Sequence, residues 1–242
     1  MSDFAHLHVH TEYSLLDGLS KIPKLITQAK IYGMKHLAIT DHGGLYGALK
    51  FYKEAKEQGV NPVIGCEMYI AKRKLSDKEM GKDNENFHLT VLAQDFEGYQ
   101  NLMQLVTLSH LEGFYYRPRV DKDALAKYSK GLMALSGCSS SEVSKSIIEG
   151  SEAEAVKKIK EYRQIFGRDN FFLEIQRHMF GQFKTAHLEG SEIYNDLSKM
   201  EKDEKLNRDV ARLTKEKLEY ETGLKDLQKS NLEKDLAIKD LQ

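Results

Sequence analysis

Two histidines separated by one residue, His8 and His10, are the first side chains whose types and spacing could do chemistry. They lie at the end of an apolar, strand-like run, Phe4–Val9. Because successive side chains of a strand point to opposite faces, residues two apart share a side, and both imidazoles could bind one metal ion. Asp17 follows in the next loop, just before Gly18. The pair alone only suggests a metal site, so other ligands must be sought.

Further metal-competent side chains stand at other predicted strands. Asp41-His42 ends the second apolar run, Glu67 lies in the third, and Cys138 follows the fifth. In parallel α/β folds the carboxyl ends of the strands meet at one edge, where ligands bind. His88 does not fit this rule, because it opens the fourth run instead of ending it. We therefore predict a site to which four separate strand ends contribute.

The predicted ligand types define the metals and the reaction. Imidazole, carboxylate and thiolate together suit zinc, whereas sites dominated by nitrogen and oxygen also suit manganese or iron. Several ligands gathered at one edge of the sheet favour the binding of two or three metal ions, and such a site suits phosphoester hydrolysis. We assign no role to His36, His110 or His187, which are expected on the surface or in the core. Cys66 is expected to be a small core residue.

Strand-like runs alternate with amphipathic helical ones before residue 180. The predicted strands are Phe4–Val9, His36–Thr40, Val63–Ile70, His88–Ala93, Leu132–Ser136 and Phe171–Ile175. The predicted helices are Lys21–Tyr32, Leu45–Gln58, Phe96–Ser109 and Ala153–Phe166. Such alternation predicts an α/β fold with a parallel sheet covered by helices. Because six units are fewer than those of a full eight-unit barrel, we predict an α/β barrel that is incomplete.

Composition excludes several classes of protein. Of the 242 residues, 40% are hydrophobic and 30% charged, which is typical of a soluble globular protein. No apolar run approaches the about 20 residues of a membrane span, so we expect no membrane association. Two cysteines exclude a disulfide framework and favour a reducing, cytoplasmic setting. A formal net charge of −1 excludes nucleic-acid binding through bulk charge alone, though not through a local basic patch.

The composition changes near residues 180–190. From Ser191 onward the sequence has one glycine and no proline, cysteine or histidine. Over residues 206–241, apolar side chains occupy eight of 11 heptad core positions, which indicates a coiled coil and a homo-oligomer formed through it. A single solvated helix is the alternative. We predict an α/β domain over residues 1–180, a linker over 181–190 and a helical tail over 191–242.

Ordered motifs carry a resemblance to a known family. They include His8-Val9-His10-Thr11, Ile39-Thr40-Asp41-His42-Gly43, Gly65-Cys66-Glu67-Met68-Tyr69, Gly113-Phe114-Tyr115-Tyr116-Arg117-Pro118-Arg119 and Leu173-Glu174-Ile175-Gln176. The first two resemble the opening motifs of the PHP (polymerase and histidinol phosphatase) family. Together they are similar to the N-terminal PHP domain of bacterial replicative DNA polymerase III alpha subunits. The similarity runs from about Phe4 to Phe180.

The resemblance implies a fold, a metal site and partners. It implies a distorted (β/α)7 barrel that binds two or three Zn²⁺ or Mn²⁺ ions. It implies that Asp17, Asp41 and His42 act in catalysis, with Asp41 orienting His42, and that DNA and replisome subunits are the partners. Family members serve as metal-dependent phosphoesterases, including 3′–5′ exonucleases, or as metal-stabilised platforms. The metal ligands that it implies are His8, His10, Asp17, His42, Glu67, His88 and Cys138.

One family motif is missing, which leaves three functions open. The family ends its metal site with Asp-x-His on a late strand, and no Asp-x-His follows Cys138 here. We interpret the sequence as an incomplete polymerase PHP portion joined to an unrelated helical tail, without the palm domain that performs nucleotidyl transfer. It would then hydrolyse DNA 3′ ends, or serve as an inactive scaffold with a coiled-coil tail. The third alternative, a stand-alone phosphatase, is disfavoured by the polymerase-like motifs.

Overall fold

The computed structural model describes residues 4–15 and 17–176. The strands are β1 (His36–Ile39), β2 (Asn61–Ala71), β3 (Asn86–Ala93), β4 (Arg119–Val120), β5 (Leu132–Leu135) and β6 (Phe171–Phe172). The helices are α1 (Ile22–Ile31), α2 (Ala48–Glu57), α3 (Phe96–Leu111), α4 (Lys122–Lys127), α5 (Glu142–Glu149) and α6 (Glu152–Phe166). The predicted linker at 181–190 and the coiled coil over 206–241 lie outside the described residues.

The strands form one mixed sheet in the order β1-β2-β3-β5-β6, with β4 paired to β2. The α/β prediction is confirmed, but the prediction of a parallel sheet is wrong. β3 runs antiparallel to both β2 and β5, whereas β1 with β2, β2 with β4 and β5 with β6 are parallel pairs. The reason lies in the connection: β2 leads into β3 through the loop 72–85 without a crossover helix, so the chain returns antiparallel.

The four predicted helices are confirmed within a few residues, but short elements were missed. β4 has two residues and α4 has six, too few to display a hydrophobic period. Helix α5 is capped at its N-terminus by Ser141, whose side chain accepts a hydrogen bond from the backbone N–H of Ser144. The predicted first strand is an extended segment beside β1, where Ala38 donates to the His6 carbonyl at 2.9 Å and Thr40 to that of Val9 at 2.8 Å.

Helices α1 and α2 cover β1 and fix the strand end that leads to Asp41. Ile22 and Ile26, one turn apart on α1, are fully buried with Phe51 of α2 and Leu37 of β1. This spacing is that of a helix with one apolar face, and the burial of such side chains drives the packing. Of the helices described here, none has the length and apolar character needed to cross a bilayer.

A fully buried arginine, Arg119 of β4, ties the loop 72–85 to the residues before β4. Its guanidinium donates to the carbonyl of Gly113 at 3.1 Å and to that of Asp83 at 3.1 Å. It also donates to the carbonyls of Asp77, at 2.8 Å, and Leu75, at 3.3 Å. A guanidinium has five N–H donors on three nitrogens and can serve these four carbonyls, whereas an ammonium group has three donors on one nitrogen.

Replacing this arginine should destabilise the protein. Arg119→Met leaves buried carbonyls without donors, so we expect the free energy of unfolding to fall by about 2–4 kcal/mol in urea titrations. Lys130→Met is the control, because the Lys130 side chain is 78% exposed and forms a surface ion pair with Glu97; it should cost less than about 1 kcal/mol. Equal effects for the two variants would contradict a structural role for Arg119.

Candidate metal centre

A buried carboxylate, that of Glu67 on β2, lies at the centre of a histidine cluster. Its side chain is 1% exposed. Oε2 lies 3.0 Å from Nδ1 of His42, 3.1 Å from Nε2 of His10 and 3.5 Å from Nε2 of His8. Oε1 lies 3.0 Å from Nδ1 of His88. One carboxylate therefore joins four imidazoles that are up to 80 residues apart in the sequence.

Asp17 and Cys138 extend this cluster, Asp17 through His42 and Cys138 through Glu67 and His88. Sγ of Cys138 lies 3.4 Å from Oε1 of Glu67 and 3.6 Å from Nδ1 of His88. Oδ2 of Asp17 lies 2.5 Å from Nε2 of His42, and its side chain is 57% exposed. All seven residues predicted as metal ligands are thus in one continuous set of contacts.

The antiparallel course of β3 explains why His88 joins the cluster from the start of its strand. Tyr69 of β2 pairs with His88, and Glu67 pairs with Thr90. The beginning of an antiparallel strand lies at the edge where its parallel neighbours end. His88 therefore obeys the same geometric rule as the other ligands once the direction of its strand is known.

The loop after β1 is attached to β2 beside Glu67. The backbone N–H of Glu67 donates to the carbonyl of Asp41 at 3.1 Å, and that of Gly43 donates back to the carbonyl of Glu67 at 2.9 Å. These two bonds continue the β1–β2 ladder for one more step and place His42 against Glu67. The sequence Asp41-His42-Gly43 thereby becomes part of the sheet edge.

The expectation that Asp41 orients the His42 ring is corrected by the contacts of its carboxylate. In the described part of the chain, Oδ1 accepts hydrogen bonds from Thr11 N–H at 2.7 Å and from the Ser14 hydroxyl at 2.6 Å. Oδ2 accepts from the Thr11 hydroxyl at 2.7 Å. Because the Ser14 hydroxyl donates to Asp41, its oxygen can accept from Nδ1–H of His10, 3.1 Å away. Asp41 therefore orients His10, through Ser14, with Nε2 towards Glu67.

The sequence reasoning missed Glu174, which orients His8. Its Oε1 lies 2.7 Å from Nδ1 of His8, so Nε2 of that ring faces Glu67. The backbone N–H of Glu174 donates to the Ser136 hydroxyl at 2.9 Å, which fixes the residue beside the end of β5. The signal was available, since Glu174 lies near the carboxyl end of the predicted strand Phe171–Ile175 and carries a carboxylate. It was overlooked because its partner His8 is 166 positions away.

Comparison with known proteins matches residues 6–178 to the model of the PHP domain family. The chain belongs to the PHP domain family. The PHP domain is 49% identical over 178 residues to a DNA polymerase III subunit alpha of Borreliella burgdorferi, covering 73% of this chain and 15% of that protein. It is 47% identical over 188 residues to a DNA polymerase III subunit alpha of Thermus aquaticus, covering 76% and 15%. The chain thus spans about 15% of the length of these curated relatives.

Among solved structures, an amidohydrolase from Chromobacterium violaceum is similar to part of the PHP domain. The match has a TM-score of 0.32 and 21% sequence identity, and it covers 44% of this chain and 33% of that one. The overlap is therefore partial in both proteins.

Electrostatics in the PHP domain favour positive charge around Glu67. Burial raises the pKa of the Glu67 carboxyl, but hydrogen bonds from the His10, His8 and His88 rings bring it well below its usual range. Burial lowers the pKa of the His8 ring, but the Glu174 and Glu67 carboxylates outweigh burial and raise it to about 9. Burial and the Glu67 charge raise the pKa of the Cys138 thiol to about 11. A buried carboxylate needs a compensating cation, and here protonated imidazole supplies it.

The donor set fits divalent metal ions. Three groups of side chains offer ligand atoms within 4.8 Å of one another, namely His8-His10-Glu67, His10-Asp17-His42 and His42-Glu67-His88. Around a tetrahedral ion, nitrogen and oxygen ligands lie about 3.3 Å apart, and sulfur and nitrogen ligands about 3.6 Å. The distances around Glu67 and Cys138, from 3.0 to 3.6 Å, lie within about 0.3 Å of these values.

One buried atom gives independent support for this fit. Nδ1 of His42 is buried and makes no hydrogen bond in the described structure, although Oε2 of Glu67 lies 3.0 Å away. Burial, with the neighbouring His10 and His88, lowers the pKa of the His42 ring despite the opposing charge of Glu67. A neutral ring nitrogen beside a carboxylate oxygen suits two ligands of one cation, which would satisfy an otherwise costly buried group.

Glu67 should be essential for metal binding. Glu67→Gln keeps the shape of the side chain and removes the negative charge shared by the histidines, so we expect Zn²⁺ and Mn²⁺ affinity to fall more than the about 10–100-fold seen for supporting residues. Elemental analysis after dialysis and isothermal titration calorimetry measure the loss. Glu149→Gln, an exposed substitution on α5, is the control. Unchanged metal content in Glu67→Gln would contradict the assignment of the centre.

Glu174 should control the protonation of His8. In metal-free protein, Glu174→Gln removes the nearest negative charge, so the pKa of His8 should fall from about 9 towards its ordinary value of 6.5. An NMR pH titration of the His8 ring measures the change, with Glu149→Gln again as the control. If the His8 titration is the same in Glu174→Gln and in the unmodified protein, Glu174 does not act on this ring.

Proposed function

We propose that this PHP domain hydrolyses phosphodiester bonds with the help of two or three bound divalent ions, and that its substrate is the 3′ end of a DNA strand. One observation supports the proposal most directly. Each pair of the three metal-competent groups shares one residue: His10, His42 or Glu67. Shared ligands hold ions close together, as in sites that hydrolyse phosphoesters by in-line displacement.

The residues of the chain have distinct roles in this proposal. Glu67 and the histidines around it hold the ions, and Asp17 contributes from the exposed side of the site. Ser14 holds His10, and Glu174 holds His8, so that the ring nitrogens facing Glu67 are fixed before metal binds. When bound, the ions would lower the pKa of water and stabilise the charge that develops on the phosphate oxygens. Zn²⁺ and Mn²⁺ are the proposed ions, because the donors are mostly nitrogen and oxygen with one thiol.

The choice of DNA as the substrate is supported by the names of the relatives. Both relatives described above are DNA polymerase III alpha subunits, and about three-quarters of this chain aligns with them. We infer that the chain acts as the PHP portion of a replicative polymerase, with replisome subunits as partners. We also propose that the sheet closes as a distorted (β/α)7 barrel. The His8–Glu174 contact supports closure, because it links the first described segment to the last.

Hydrolysis assays with and without a chelator test the proposed activity. The substrates are p-nitrophenyl phosphate, bis(p-nitrophenyl) phosphate and a primer with a recessed 3′ end. We expect chelator-sensitive cleavage of the diester and of the primer terminus, with little cleavage of the monoester. Asp17→Asn should reduce both rates by at least about 100-fold, because it removes a proposed ligand, and Glu149→Gln should not.

Other outcomes favour the remaining functions. Preference for the monoester would favour a phosphatase. Full metal content without turnover would favour an inactive scaffold, an alternative supported by the missing Asp-x-His after Cys138. Turnover that persists in Asp17→Asn would show that the activity lies elsewhere.

A further inference from the structure

We propose that residues 114–117, Phe114-Tyr115-Tyr116-Arg117, form a strand-binding loop that holds single-stranded DNA beside the metal centre. Arg117 would contact a phosphate of the strand, and Tyr116 would stack on a base. The proposal deepens the function proposed above and rests on it for the identity of the strand.

The strand-binding loop lies against the metal centre. The Arg117 guanidinium lies over the Tyr69 ring, 5.7 Å from its centroid. The Tyr69 ring stacks on that of His42, with 5.7 Å between the centroids, and meets that of His88 edge-to-face at 5.1 Å. One aromatic ring therefore separates Arg117 from two proposed metal ligands. A phosphodiester bound at the ions would bring the neighbouring part of its strand to this loop.

Close packing positions the residues on both sides of the loop. Gly43, next to His42, has φ +59°, and a Cβ there would lie 2.8 Å from Cγ of Pro118, so Pro118 packs directly on the strand end that carries His42. On the other side, a Cβ on Gly113 would lie 1.9 Å from the carbonyl oxygen of Arg119. The backbone N–H of Tyr115 also donates to the carbonyl of Arg117 at 3.0 Å. The loop is thus fixed relative to the metal centre.

Tyr116 has the backbone conformation that is most unusual in the described chain. Its φ is 58°, and it is the one non-glycine residue with positive φ among those described. A bulky side chain adopts this region only where the surrounding structure imposes it, and such residues concentrate at binding sites. Tyr116 is 61% exposed, its ring meets that of Tyr115 edge-to-face with 4.7 Å between the centroids, and Phe114 is exposed as well. Large aromatic side chains held in water offer surfaces on which bases can stack.

Arg117 differs from the other basic residues that the sequence places near the site. Lys72 pairs with Glu85, Arg73 with Asp83 and Lys74 with Asp123. Arg119 is buried and donates to backbone carbonyls. Arg117 is exposed, and in the described part of the chain no carboxylate lies within ion-pair distance of it. Its charge is therefore available to a phosphate.

The combination of groups favours a nucleic-acid strand over a protein partner. An unpaired guanidinium and exposed aromatic rings, in a rigid loop, match the two recurrent elements of single-strand recognition, which are phosphate contacts and base stacking. Because stacking tolerates every base, the loop would bind without strong sequence preference. A chain of net charge −1 cannot bind DNA through its overall charge, so a local contact of this kind would be needed for binding.

Fluorescence anisotropy with a labelled oligothymidylate, at low ionic strength and in the presence of a chelator, tests the proposal on the full chain. Tyr116→Asn is chosen because asparagine tolerates the left-handed backbone conformation. We expect this variant and Arg117→Ala each to weaken binding about five- to tenfold. An otherwise identical oligonucleotide with abasic sites in its 3′ half separates the two contacts: its binding should be insensitive to Tyr116→Asn but still sensitive to Arg117→Ala.

Tyr52 and Lys56 provide a matched control on α2. The Lys56 ammonium lies over the Tyr52 ring, 5.9 Å from its centroid, on the helix that leads into the start of β2. Tyr52→Asn and Lys56→Ala should leave oligonucleotide binding unchanged. Equal losses from the two pairs of variants, or no loss from Tyr116→Asn and Arg117→Ala, would overturn the proposal. Because binding is measured without metal or turnover, absence of diester hydrolysis with intact binding would contradict the proposed function and leave the strand-binding loop supported.

Discussion

The buried carboxylate of Glu67 is the constraint on which the rest of this structure depends. A buried charge must be compensated, and Glu67 is surrounded by imidazoles from the first segment, the loop after β1 and β3, of which the His8 ring has a raised pKa. Either a protonated imidazole ring or a divalent ion can compensate the buried negative charge of Glu67. The high pKa of His8 and the hydrogen-bond-free Nδ1 of His42 are both consequences of assembling a cation site around one buried anion.

The groups that hold the imidazoles come from other parts of the chain. His10 is oriented by Ser14, which is held by Asp41 at the end of β1, and His8 is oriented by Glu174 beyond β6. Each of these contacts fixes one ring nitrogen and leaves the other facing Glu67. The segments that the contacts join are consequently positioned by the histidine cluster around Glu67 as much as they position it. Loss of one supporting carboxylate would therefore affect both the site and the packing of the segment that carries it.

Two arginines on either side of Pro118 have different environments. The Arg119 guanidinium donates its hydrogen bonds to backbone carbonyls and so fixes the loop 72–85. Arg117, two residues earlier, is exposed and lies over the Tyr69 ring. Sequence spacing cannot separate these roles, because alternation along an extended chain puts both side chains on one side. The roles differ because the Arg119 guanidinium is buried among backbone carbonyls, whereas the Arg117 guanidinium is exposed to solvent.

The sequence by itself determined the α/β class, four of the helices and the strand-end residues His42, Glu67 and Cys138 as candidate ligands, because hydrophobic period and ligand type are local properties; His88 was indicated only by the family resemblance. The strand direction of β3, the support of His8 by Glu174 and the turn of Asp41 towards Thr11 and Ser14 were decided only by the tertiary structure. The physical reason is that strand direction depends on how the chain returns to the sheet, and hydrogen-bond partners depend on which side chains meet after it has returned. Alternation predicts that His88 lies on a strand, but only its pairing with Tyr69 places it beside Glu67.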